Sequence, residues 1–404
     1  MRSVLFHLKA LILNLASAIL NLVIKRDKGI WLFGSWMGTR FADNSRYLFQ
    51  YLNDNKSKYE IKKVIWITRN RDLQRQLQEM GYTAEMANSI YGIYIHLKAG
   101  VHVVCNMAYS NSGYKGDING NLSNNAVKIQ LWHGFPIKSN VRTTPKRGES
   151  ALKKSIIYRL SLPGRWAETQ YVVSMSEDCT RRYKIWFNNP DLRTIECGYP
   201  RNCECIKHTD IEKMVIQDIK KYKKTILYLP TFRGYPISFK HPLTDKDFCK
   251  WIKENDILWI EKPHLASSMT DYFNEVNELA HDNILRLDGD FDVNVLLPIV
   301  SVLVTDYSSV SADAIYFDRP VVYYIPDFDQ YCGSDRGLTD GFDNVTFGPK
   351  VYNASDMTDA VIQCMNSKTD VDDRRYAALK KTFFDGKQYS YEQQMRDILN
   401  AISQ

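Results

Sequence analysis

The sequence predicts an α/β protein built from two successive halves, each around a parallel sheet. Three observations predict it. Short runs such as Lys63–Thr68, Val101–Cys105 and Ile257–Glu261 are apolar on both alternating faces, as strands covered on both sides must be. Stretches of helical spacing separate these runs, which is the order of βαβ units. The pattern pauses near 205–220 and then restarts. Domains commonly hold roughly 100–200 residues, so a chain of 404 suggests two.

The elements follow in order. Val4 to Ile24 is almost wholly apolar, and His7, Asn14, Ser17 and Asn21 draw one polar stripe along it at helical spacing. A helix this long approaches bilayer thickness. The stripe and Lys9 favour instead a helix lying in the membrane interface, with Lys25, Arg26 and Lys28 meeting headgroups. A buried core helix and a cleaved signal around Ala16-Ser17-Ala18 are the alternatives. Gly29–Ser35 reads as a strand, Asn44–Leu52 as a helix, Lys63–Thr68 as a strand, Asp72–Met80 as a helix and Val101–Cys105 as a strand. Val127–Leu131 and Gln170–Ser174 continue the strands, and Ile195–Pro200 closes the half with turn residues. Thr209–Lys224 reads as a polar helix able to bridge two lobes. Strands then resume at Thr225–Leu229, Ile257–Glu261, Val300–Val304 and Val321–Tyr324. The expected division is 1–26, 27–207, 208–385 and a C-terminal helix at 386–404.

Composition is that of an ordinary globular protein, 44% hydrophobic and 25% charged. A net charge of +7 admits anionic partners without requiring them. The eight cysteines form no CxxC pair and suit a reducing compartment. No Walker A sequence, GxGxxG, HExxH or GxSxG occurs, so ATPase, dinucleotide oxidoreductase, zinc protease and α/β-hydrolase lose their usual support. No helix-turn-helix, RNP or zinc-finger pattern supports nucleic-acid binding.

Four constellations at strand ends carry chemistry, and in open parallel sheets ligands bind beyond such ends. Gln130–Lys138 runs a strand into His133, with Gly134 and Pro136 forcing a fixed loop. A histidine there can serve as a general base, and one packed beside Trp132 is the plainer alternative. Leu229–Gly234 ends in Arg233, whose planar donors suit two phosphate oxygens, as would an ordinary surface arginine. Trp259–His264 places Lys262 and His264 where either could steady charge on a phosphoryl group, or simply line a polar loop. In Thr305–Ile315, Ser308 and Ser309 stand at a helix start, where capping and anion binding are compatible, and Asp306 and Asp313 flank them.

Asp288, Asp290 and Asp292 imitate a metal-binding DxD but read as a solvated acidic loop, so no cofactor and no tightly bound metal are expected. The stretch from Lys138 to Lys184, with Arg142, Lys146, Arg147, Lys153 and Lys154 among interleaved apolar residues, suits an anionic membrane or acceptor.

Together these motifs resemble the CDP-glycerol glycerophosphotransferase family, which builds teichoic acids and related capsule polymers. The resemblance runs in family order through Trp132–Lys138, Gly198–Asn202, Pro230–Arg233, Lys262–His264 and Asp306–Asp313, then Asp335–Leu338 with Arg336, and Gly348–Tyr352. It implies a GT-B-like fold of two Rossmann-like domains, the first for acceptor and membrane and the second for a CDP-polyol donor. It also implies attack of an acceptor hydroxyl on the donor's β-phosphate, with CMP leaving. His133 is then the base, and His264 and Arg233 steady the phosphoryl group or CMP. Lys262, Asp306, Ser308, Ser309, Asp313, Gly134 and Arg336 serve the donor. Implied partners are the CDP-polyol, a lipid-linked anionic acceptor and the cytoplasmic face of the membrane, with a homo-oligomer left open. A nucleotide-sugar glycosyltransferase and a catalytically inert membrane scaffold are the alternatives. Two departures stand out: Phe135 where the family has Thr, adding bulk beside the base, and Cys203 where it has Asp.

Overall fold

The computed structural model describes residues 2–106, 116–137, 171–186, 190–262, 272–273, 276, 283–333, 341–366 and 374–403, and for 2–10 and 14 the backbone only. The chain divides into two compact units. One comprises Met1–His133, Arg142–Lys207 and Gln388–Gln404; the other comprises Gly134–Val141 and His208–Lys387.

The first unit holds strands β1 (Asp27–Gly34), β2 (Lys63–Thr68), β3 (Ala84–Met86), β4 (Ala99–Val104), β5 (Val127–Gln130), β6 (Tyr171–Ser174) and β7 (Thr194–Glu196). All pair in parallel, in the order β3-β2-β1-β4-β5-β6-β7. Helices α1 (Arg2–Val23), α2 (Asp43–Asn55), α3 (Arg71–Glu79) and α4 (Ile90–Lys98) precede or join the early strands. Burial explains the strand composition: Trp31, Leu32, Phe33, Ile65, Trp66 and Ile67 are all at most 1% exposed. The chain order reverses between β1 and β4, which opens a crevice at their carboxyl ends.

The second unit repeats the scheme with β8 (Lys224–Leu229), β9 (Ile257–Glu261), β10 (Ile284–Arg286), β11 (Val302–Thr305), β12 (Val321–Tyr324) and β13 (Lys350–Val351). The order is β10-β9-β8-β11-β12-β13, again all parallel, with its reversal between β8 and β11. The sequence reading missed β3, β10 and β13, and took the residues of β7 for closing turn residues. Each is an edge strand of two or three residues with one neighbour, so none needs the continuous apolar run that reveals a central strand. The helix expected to bridge two lobes spans Asp210–Ile219, is closed by a capping box from Thr209 and Glu212, and lies wholly within the second unit.

The C-terminal helix Tyr391–Ser403 returns to the first unit. Tyr391 stacks on Tyr51 at 4.7 Å and donates to the Glu204 carbonyl at 2.7 Å. Gly198 has φ +77, and a Cβ there would lie 2.3 Å from the Tyr389 ring, so both conformation and space require glycine.

Two histidines mark the core of this unit. His96 donates from Nδ1 to the Gly92 carbonyl and accepts at Nε2 from the Asn119 N–H at 3.1 Å. His102 donates from Nε2 to the His96 carbonyl at 3.1 Å, and its Nδ1 lies 2.8 Å from Ser123 Oγ. Both rings are therefore satisfied as neutral imidazoles. Burial pulls His96 down to about 4 and His102 well below its ordinary range. The unfolded chain takes up these protons near pH 6.5 while the folded unit refuses them. Stability present above pH 6.5 is thus lost on acidification toward pH 4, by about 3 kcal/mol for His96 alone. Urea unfolding followed from pH 7.5 to 4.5 should show the loss, and a flat profile would contradict the neutral pair.

Candidate active site

In the first unit the chain leaves β5 through a strained turn. Trp132 has φ +59 and Gly134 φ +153, both in the region that disfavours a side chain. Between them stands His133, partly exposed while its neighbours Leu131–Trp132 and Gly134–Ile137 are buried. Its ring lies 4.5 Å from Trp132 and 6.1 Å from Trp36. Nδ1 is 3.3 Å from the Cys105 carbonyl, at the end of β4. A carbonyl only accepts, so the proton of the neutral ring sits on Nδ1 and Nε2 carries the lone pair.

Residues without an assigned role hold this turn. Asn44, at the start of α2, donates from Nδ2 to the carbonyls of Leu131 (3.3 Å) and Trp132 (2.8 Å). Its Oδ1 accepts the Arg201 N–H at 3.1 Å. Arg201 Nη1 in turn donates to the His133 carbonyl at 3.1 Å and to Asp43 Oδ1 at 2.7 Å, and both side chains of that ion pair are 5% exposed. Beneath them Asp117 accepts the N–H groups of Met37, Cys105 and Asn106 at 2.8, 3.1 and 2.7 Å. Burial still pushes its carboxyl up to about 6. Asn44→Ala deletes three of the bonds around the turn. It should cost about 1–3 kcal/mol of stability and lower kcat more than donor affinity. Unchanged turnover would show that the turn is held without it.

In the second unit Arg233, expected to contact phosphate, is 2% exposed and already engaged. It donates from Nε and Nη2 to Asp327 at 2.6 and 3.1 Å, and from Nη1 to Asp306 Oδ2 at 2.8 Å and the Thr231 carbonyl at 2.6 Å. Its guanidinium lies over the rings of Phe239, Tyr307 and Tyr331. Burial alone would disfavour its charge, but Asp306 and Asp327 more than offset this and hold it firmly protonated. The physical reason for the departure from expectation is topological. Arg233 follows β8, Asp306 follows β11 and Asp327 follows β12, so the sheet order sets arginine and carboxylates side by side. Asp306 also accepts the Thr231 N–H at 3.0 and 2.8 Å, and Tyr235 and Tyr307 donate to Asp327 at 2.7 and 3.0 Å.

Ser308 and Ser309 are half-buried at the start of the Val310–Tyr316 helix. Ser309, at the cap position, makes no side-chain cap bond, whereas Ser308 Oγ accepts the Val310 N–H at 3.3 Å. Asp313 is 1% exposed within the helix. Lys262 is half-buried after β9. The preceding Glu261 is fully buried, accepts Trp259 Nε1 and Arg286 Nε at 2.7 and 2.6 Å, and faces His241 Nε2 at 3.2 Å. Burial works against its charge, yet these donors hold it below its ordinary range.

Phe135 does not stand open beside His133: it is 2% exposed and packs edge-on against Phe383 at 4.6 Å. Cys203 is likewise a buried thiol, pushed up to about 12 by burial. Asp292 of the acidic loop caps a turn, accepting the N–H and Nδ2 of Asn294 at 3.1 and 2.7 Å. Arg26, expected at headgroups, instead donates to the carbonyls of His96, Ala99, Leu122 and Asn124. His264, Arg336, Lys138, Arg142, Lys146, Arg147, Lys153 and Lys154 lie outside the described residues.

Comparison with known proteins gives this architecture a family. The model of the CDP-Glycerol:Poly(glycerophosphate) glycerophosphotransferase family matches residues 16–402. The chain is 27% identical over 385 residues to a teichoic acid poly(glycerol phosphate) polymerase of Bacillus spizizenii, covering 91% of this chain and 92% of that one. It is 25% identical over 364 residues to a teichoic acid glycerol-phosphate transferase of Staphylococcus aureus, covering 83% and 84%. A structure of the wall teichoic acid polymerase TagF superposes with a TM-score of 0.69 at 19% identity, over 100% of this chain and 97% of that one. That likeness establishes the fold, GT-B-like with two doubly wound halves.

Proposed function

Because the chain belongs to the CDP-glycerol:poly(glycerophosphate) glycerophosphotransferase family, we propose that it transfers glycerol phosphate from CDP-glycerol to a lipid-linked acceptor in teichoic acid synthesis. The acceptor hydroxyl oxygen bonds to the donor's β-phosphorus as the bond to CMP breaks. His133 Nε2 takes the hydroxyl proton, and CMP leaves with the bridging oxygen and its electron pair. The observation that carries this reading is the family match across residues 16–402. It is supported by the tautomer that the Cys105 carbonyl imposes on His133.

Ser308 and Ser309, at the start of the Val310–Tyr316 helix, receive donor phosphate through their hydroxyls, with Lys262 and the family's His264 and Arg336 supplying further charge. Arg233 is a positioning residue: through Asp306 and Asp327 it joins the ends of β8, β11 and β12 that carry the phosphate loop. The protein works peripherally at the cytoplasmic face of the membrane, and among the described residues no helix is long and apolar enough to cross it.

The test is CMP release from CDP-glycerol and from CDP-ribitol, each with a lipid-linked glycerophosphate acceptor, beside UDP- and GDP-sugar controls. Acceptor-dependent CMP release from CDP-glycerol is expected. Silence with both CDP donors and turnover of a nucleotide sugar would overturn the chemistry while leaving the fold.

A further inference from the structure

Helix α1 is turned the opposite way from a helix bathed in water. Its polar Ser17 and Asn21 are 0% and 9% exposed, with Asn21 Nδ2 donating to the Ser17 carbonyl at 3.0 Å. Its apolar Leu15, Ile19, Leu22 and Val23 are 62%, 57%, 71% and 82% exposed. Ser17 and Asn21 of the polar stripe therefore meet the body of the unit, where α1 packs on α4 and on the turn Gly120–Leu122. Arg26 fastens this orientation at the root of the helix, since its guanidinium is bound by the carbonyls of Leu122 and Asn124 on one side and Ala99 on the other.

Helix α4 continues the apolar surface. Ile90, Tyr91, Ile93 and Tyr94 point outward, with Ile90 at 92% exposure, while Gly92, Ile95, His96 and Leu97 are buried. Lysines rim this surface at the strand starts. Lys25 is exposed just before β1 and Lys28 at its start, and Lys62 pairs with Asp27 at 2.9 Å while staying 67% exposed. Lys98 ends α4 where Ala99 registers with Asp27. Lys62 and Lys98 both act on Asp27, and the exposed Lys25 and Lys28 flank it in the chain, so lysines outnumber the carboxylates here. Exposed aliphatics with tyrosines and a lysine border have the chemistry of an element seated at an anionic lipid surface, where tyrosine prefers the headgroup level.

We propose that α1 and α4 together form one face that seats in an anionic bilayer leaflet, with α4 as a second inserting element beside the N-terminal helix. This rests on the reading that the acceptor is lipid-linked.

The experiment is co-sedimentation of the full chain with phosphatidylglycerol–phosphatidylcholine vesicles, for the wild type and for Ile90→Glu/Ile93→Glu. Turnover of each is measured on a water-soluble short acceptor and on a vesicle-borne one. The wild type should pellet with anionic vesicles. The double variant should partition about tenfold or more weakly, because two carboxylates would enter the interface, and should keep turnover on the soluble acceptor. Undiminished partition of the variant, with the wild type bound, would overturn the role of α4 and leave membrane binding to other segments. A wild type that pellets with no vesicle would overturn both the inference and the membrane reading. If that protein also dimerises and the variant does not, the face is a contact between copies.

Discussion

Replacing His133 with alanine is expected to lower kcat for CMP release by about 10²–10⁴-fold, with donor affinity nearly unchanged. The expectation comes from how much structure is spent on one imidazole. A left-handed Trp132, a Gly134 at φ +153, the Asn44 bridge and the Arg201–Asp43 ion pair all converge on the turn that carries it. A residue held only for packing would not call for a strained backbone with such support. The Cys105 carbonyl keeps the proton on Nδ1, so glutamine in place of histidine restores a polar side chain without a basic nitrogen. His133→Gln should therefore be as inactive as His133→Ala. Pre-steady-state turnover together with calorimetric binding of CDP-glycerol separates the two effects. Near-normal kcat in either variant would remove His133 from proton transfer.

Arg233→Met is expected to destabilise the second unit by about 3–5 kcal/mol, a large share of the 5–15 kcal/mol typical of a domain. The substitution leaves Asp306 and Asp327, 3% and 7% exposed, without their shared cation. The sign with pH follows. In the wild type Asp327 is held below its ordinary range: burial opposes its charge, but Arg233 outweighs burial. That contribution is present at neutral pH and is lost as pH falls through the folded pKa. In the variant Asp327 loses the cation that outweighs burial, so the gap between variant and wild type should narrow on acidification. Arg233→Lys keeps a charge but not the fork that reaches both carboxylates, and should fall between the two. Urea unfolding at pH 7.5 and 5 reads all three. If Arg233 instead grips donor phosphate, Arg233→Met would weaken CDP-glycerol binding and leave the unfolding midpoint in place.

The central strands were legible because their signal is local. Lys63–Thr68, Ile257–Glu261 and Val321–Tyr324 have the bounds their apolar runs suggested, since a strand covered on both faces must be apolar throughout. The edge strands β3, β7, β10 and β13 lack that constraint and left no comparable trace. The ordered motifs pointed to the family because their residues are contiguous in the chain.

The residues around the candidate base were not legible. Asp43 and Arg201 are 158 positions apart, and Asn44 stands 87 and 88 positions before the carbonyls it holds. No periodicity relates such pairs; the parallel order β1-β4-β5-β6-β7 brings together the loops that follow β1, β5 and β7. Arg201 was visible in a motif but its partners were not. The same limit applies to Arg233, whose exposed or buried state depends on where the ends of β11 and β12 fall.

The sequence by itself determined the α/β class, the order of the strands along the chain, the family and the polar stripe on the first helix. Each is written in local spacing and residue type. Only the tertiary structure decided which way that stripe faces, that Phe135 packs inward, and that Arg233 is neutralised by two carboxylates. The physical reason is shared. Burial and pairing depend on which distant segments the sheet sets side by side, and that is a property of the strand order in space.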